Sequence, residues 1–134
     1  MDDETLVRTF EAGEVPQHGF HHAEHVRVAW YYLRRLPLPD ALARFRAALQ
    51  RYAVARGKPG LYHETITVAY VLLINERLDG AAPEMSWDAF AAGNPDLLFW
   101  HPSILDRYYE PSTLASERAR RTFVLPDRLR SDQP

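Results

Sequence analysis

The apolar positions of this chain recur at helical spacing. From about His21 to Leu36, Val26, Ala29, Leu33 and Leu36 fall at i, i+3, i+7 and i+10, one stripe on one helix. Pro37 and Pro39 end that helix, since proline lacks the backbone donor and clashes with the preceding turn. Asp40 is the expected N-cap of the next helix, whose stripe is Leu42, Phe45, Leu49 and Tyr52. Gly57 suits the residue just past that helix, before the turn Lys58-Pro59-Gly60. A third long helix is expected from about Tyr62 to Leu78. Its middle, ITVAYVLLI, is apolar nearly all round, which marks the most buried helix.

Shorter pieces flank these three. Asp3 to Ala12 reads as a short helix stopped by Gly13 and Pro16. After the break at Asp79-Gly80 and Pro83 come Ser86 to Ala92 with Ser86 as N-cap, Pro95 to Trp100, Ser103 to Tyr109 and about Leu114 to Val124. Residues 126–134 read as a loose polar tail. The expected fold is all-α: one domain over 1–134, a compact bundle of three main up-down-up helices with shorter C-terminal helices packed across it.

Composition narrows the chemistry. The chain has 134 residues, 46% hydrophobic, with a net charge of −2. That balance carries no nucleic-acid or membrane signal, and the arginines do not gather in one patch. Cysteine is absent, which removes disulfides, thiolate ligands and cysteine nucleophiles. The acidic start MDDETLVRTF has no signal-peptide stretch, and Val68 to Ile74 is too short to span a bilayer, so a cytoplasmic protein is expected.

The histidines stand out. His18, His21, His22 and His25 lie in HGFHHAEH, and His63-Glu64 lies in LYHETIT. Short connections force antiparallel neighbours. Two helices of about 15–17 residues, or about 22–25 Å at ~1.5 Å per residue, return the chain to its starting level. The starts of the first and third long helices therefore meet at one end of the bundle. His22 and His25, three apart, share the inward stripe. His22, His25, His63 and Glu64 are the expected metal ligands, because imidazoles plus a carboxylate suit a divalent ion.

Three imidazoles suit zinc and water activation, whereas two with a carboxylate suit iron and oxygen chemistry. Glu64 is then ligand or general base, and His63 and Glu64 are the catalytic candidates. Thr67, Tyr70 and Tyr62 are candidates to orient the ligands. The expected function is a small metalloenzyme of hydrolase, lyase or oxygenase type, acting on a small-molecule substrate. Two alternatives stand beside it: a non-catalytic helical module with a buried histidine cluster that binds a ligand or partner, and metal-free acid/base catalysis by His63 and Glu64.

His18, His21 and His101 are weaker candidates, and Asp96 and Asp106 read as capping or ion-pair residues. Tyr31, Tyr32, Tyr70, Trp30 and Trp100 suit a pocket, a core or a homodimer seam. Arg118, Arg120 and Arg121 read as a solvated face. His63-Glu64-Thr65-Ile66-Thr67 begins like the zincin motif, but Thr67 stands where its second histidine belongs.

Phe20, His22 and His25, followed by Tyr62, His63, Glu64, Thr65, Ile66 and Thr67, resemble the helix starts of a group of small bacterial all-helical proteins without an assigned function. The resemblance covers roughly residues 4–78. It implies the same four-residue site and supplies no activity.

Overall fold

In the computed structural model, which describes residues 1–15 and 19–128, these residues form seven α-helices and no strand. The helices are α1 (Asp3–Glu11), α2 (His22–Arg35), α3 (Leu38–Ala55), α4 (Glu64–Leu78), α5 (Trp87–Gly93), α6 (Pro111–Leu114) and α7 (Glu117–Arg121). The long helices α2, α3 and α4 pack on one another in up-down-up order, α1 lies against α2 and α3, and α7 lies against α4. None of them is long and apolar enough to cross a membrane.

Local chemistry sets most boundaries. The Asp2 carboxylate accepts from Thr5 N at 2.7 Å and caps α1. The chain leaves α1 through Gly13, whose φ is +73° and whose missing Cβ would meet Ala55 Cβ at 2.9 Å. Glu24 reaches back to accept from His21 N at 2.7 Å at the start of α2. Ser86 and Ser116 accept from Ala89 N and Ala119 N, each at 3.1 Å, and open α5 and α7.

Asp40 is not the cap of α3. That helix starts at Leu38 with Pro37 as its cap residue, because a proline is tolerated in the first turn where its missing N–H costs nothing. Asp40 sits inside the first turn, where its charge meets the helix dipole favourably. The buried face of α3 also lies slightly off the expected stripe. Ala41, Phe45 and Ala48 are the buried residues, with Leu42, Leu49 and Tyr52 at its edges.

The core is aromatic where α1, α2 and α3 meet. The Phe10 ring is fully buried, with Phe20 at 4.9 Å, Tyr52 at 5.2 Å, His25 at 5.7 Å and Phe45 at 6.2 Å between ring centroids. Helix α4 is the central one expected. Thr65, Thr67, Val68, Ala69, Tyr70, Val71 and Ile74 are all buried, although Leu72 faces out.

The last third returns to α4. Arg77 grips Asp96 with two nitrogens, at 3.0 and 2.8 Å, and holds the short Pro95–Leu97 turn against the end of α4. That guanidinium holds the Asp96 carboxyl below the usual carboxylate range. The expected helix from Leu114 to Val124 is instead split, with α7 ending at Arg121. Residues after it run extended, and Thr65 Oγ1 both donates to Thr122 O at 2.8 Å and accepts from Val124 N at 3.1 Å. The start of the expected loose tail is tied down. Asp127 N and Arg128 N donate to Tyr108 O, and Arg128 Nη1 donates to Asp106 O. Residues 129–134 and His18 lie outside the described residues.

Candidate ligand cavity

Three helix faces converge on one cavity of about 750 Å³. Helix α2 contributes His22, Val26 and Ala29 at i, i+4 and i+7. Helix α3 contributes Phe45 and Leu49, and α4 contributes Ile66, Tyr70 and Ile74. Ala23, Ala29 and Ala53 also stand in the wall, and larger side chains at these positions would take up the space. Leu61 (68% exposed), Trp100 (44% exposed) and His21 mark the mouth.

The topological expectation is met in one respect: His22, His25 and His63 all line this cavity. The expected metal centre does not form. Among the described residues, no group of three or more His, Asp or Glu side chains is placed to hold an ion. His63, Glu64 and His22 are bonded to other groups, and His25 is walled off by aromatic rings.

His63 does not lie in the first turn of α4; it is the residue that caps it. Its Nδ1 accepts from Ile66 N at 3.1 Å, and its Nε2 donates to Leu114 O at 2.7 Å. Both ring nitrogens are therefore spent. A carbonyl oxygen only accepts, so Nε2 carries the proton and Nδ1 is the bare nitrogen.

Glu64 does not line the cavity. Tyr62 Oη donates to its Oε1 at 2.6 Å, and Arg46 Nη2 lies 2.8 Å from its Oε2. A carboxylate satisfied by an arginine and a phenol is a poor metal ligand. Burial, aided by this carboxylate, pushes the Tyr62 phenol up to about 12.

His22 Nε2 donates to Leu97 O at 2.9 Å, and its ring meets Tyr70 edge-on at 4.7 Å and Trp100 at 5.1 Å. Nδ1 is left as an acceptor with no partner among the described residues. Burial holds this imidazole below the usual histidine range.

His25 is enclosed by Phe10, Phe20 and Tyr52, and its Nε2 is buried without a partner among the described residues. Burial, then the neighbouring His22 and His21, brings it down to about 4, so it is neutral at pH 7. Nor do the rings form a buried histidine cluster, since His22 and His63 bond to separate backbone carbonyls. The metalloenzyme expectation and its histidine-cluster alternative both give way to this arrangement.

The other candidates disperse. Thr67 Oγ1 donates to His63 O at 2.7 Å and Tyr70 Oη pairs with Ser103 Oγ at 2.8 Å, so both orient the wall. Trp30 and Tyr32 belong to the core, and Tyr31 packs under Arg35. His101 is exposed, faces Trp100 and does not line the cavity. Arg120 is not simply on a solvated face. It lines the cavity and donates to Gly60 O at 2.7 Å. No periodicity in a five-residue helix signals that role.

No protein-family model, curated protein or solved structure matches the chain.

Proposed function

We propose that this chain binds a small organic molecule with an apolar body in the cavity between α2, α3 and α4. The observation that carries the reading is the state of the cavity wall. Its surface is mostly aliphatic and aromatic, and its size falls within the roughly 300–1,000 Å³ of small-molecule sites. Its polar groups are largely satisfied within the protein: His63, Thr67, Tyr70 and Tyr62 all have partners. Such a wall asks little of a ligand beyond shape and apolar surface. The polar groups not fully used within the protein are His22 Nδ1, an acceptor suited to one hydroxyl or N–H donor, His25 Nε2, and the remaining N–H groups of Arg120.

Isothermal titration calorimetry with the neutral probe 4-phenylbutan-1-ol tests this. Binding tighter than about 1 mM, equivalent to about −4 kcal/mol, is expected. Ala53→Trp, which puts an indole into the wall, is expected to weaken binding at least about tenfold, roughly 1.4 kcal/mol, while the thermal midpoint stays near wild type. No detectable binding of this alcohol or of 4-phenylbutyrate, the acid with the same body, or equal binding by the filled variant, overturns the proposal.

A further inference from the structure

We infer that the ligand is an anion, a monocarboxylate whose apolar body fills the cavity and whose head group is held by Arg120. This rests on the cavity being a ligand site and names the chemical class it takes.

Two observations carry it. First, the charge of the lining is one-sided. Arg120 lines the cavity, and no Asp or Glu does. The nearest expected acid, Glu64, is turned away and bound to Arg46 and Tyr62.

Second, Arg120 is a cation without a carboxylate among the described residues. Arg27, Arg44, Arg46 and Arg77 are paired with Asp3, Glu11, Glu64 and Asp96, and of the described arginines without a carboxylate it is Arg120 that lines the cavity. Arg120 makes one hydrogen bond, from Nη1 to Gly60 O at 2.7 Å. Gly60 adjoins Leu61 at the mouth, and the other guanidinium N–H groups make no further hydrogen bond among the described residues. A planar guanidinium matches a carboxylate with two parallel hydrogen bonds. The apolar remainder of the wall excludes a compact, fully hydrated anion and favours one carrying an aliphatic or aromatic body.

The test compares 4-phenylbutyrate with 4-phenylbutan-1-ol, which share the body and differ in the head. Calorimetry at pH 7 and low salt is run on the wild type, Arg120→Gln and Arg120→Lys. The wild type is expected to prefer the acid at least about tenfold, the order of one charge-assisted hydrogen bond. Arg120→Gln is expected to lose the preference while still binding the alcohol, and Arg120→Lys to keep part of it. Equal binding of acid and alcohol by the wild type overturns the anionic assignment and leaves the cavity reading standing. A preference for the acid that persists in Arg120→Gln also overturns it. Loss of both probes in Arg120→Gln assigns that residue to the wall's structure and overturns its role as anchor. Failure of both probes on the wild type removes the cavity reading itself, and the assignment with it.

Discussion

Lowering the pH from 7 to 4 is expected to cost the fold about 3 kcal/mol through His25 alone. The ordinary histidine value near 6.5 applies in the unfolded chain, whereas the buried imidazole titrates at about 4. Each pH unit between the two corresponds to about 1.4 kcal/mol. Above pH 6.5 both states hold a neutral ring and nothing is lost. As pH falls from 6.5 towards 4, the unfolded chain takes up a proton that the folded chain refuses, so stability falls. Below about 4 both states are protonated and this contribution levels off. The cause is the aromatic enclosure: the Phe10, Phe20 and Tyr52 rings offer Nε2 no acceptor. His22, also held below the ordinary range, acts in the same direction. Urea unfolding at a series of pH values checks this. In His25→Leu, a substitution of similar volume without a titrating ring, the loss between pH 6.5 and 4 is expected to shrink by about that 3 kcal/mol. An unchanged pH profile would remove His25 as the origin.

Thr65→Val is expected to destabilise the protein by about 2–3 kcal/mol, although the two side chains have nearly the same shape. Thr65 is fully buried, and its hydroxyl serves both Thr122 O and Val124 N. Valine leaves a carbonyl and an N–H without their partner. Tyr109 Oη, which donates to Val124 O at 2.6 Å, does not replace either bond. Thr65→Ser keeps the hydroxyl and loses one methyl, with an expected cost of about 1 kcal/mol. The same bonds hold the segment after α7, and so the helix that carries Arg120. Hydrogen exchange at Val124 N–H is therefore expected to quicken more than exchange in α2. Wild-type stability in Thr65→Val would show that the extended segment is held by something other than this hydroxyl.

The long helices were legible because the apolar stripes of α2 and α3 recur over about three turns and α4 is apolar nearly all round. So was the convergence of the α2 and α4 starts, which follows from two short connections. What the histidines do there was not legible. A capping imidazole and a metal-binding imidazole both place a bare nitrogen at a helix start, and spacing does not tell them apart. His63 is a cap whose other nitrogen meets Leu114 O, a residue 51 positions away. Glu64 was expected among the ligands, yet Arg46 from α3 and Tyr62 beside it claim the carboxylate. The pairing of Thr65 with Val124 and the placing of Arg120 depend on where a non-helical C-terminal segment returns, and no period in the sequence encodes that. Asp40 was displaced as a cap by the tolerance of the first helical turn for proline.

The central claim, that the cavity takes an apolar molecule, is tested most directly by NMR with labelled isoleucine methyls. The chain has three isoleucines. Ile66 and Ile74 line the cavity, and Ile104 is buried outside it. With 4-phenylbutan-1-ol, intermolecular NOEs from the phenyl protons to the Ile66 and Ile74 methyls are expected, with none to Ile104. Saturating probe that leaves Ile66 and Ile74 unperturbed, or gives NOEs to Ile104 and not to them, would contradict the account.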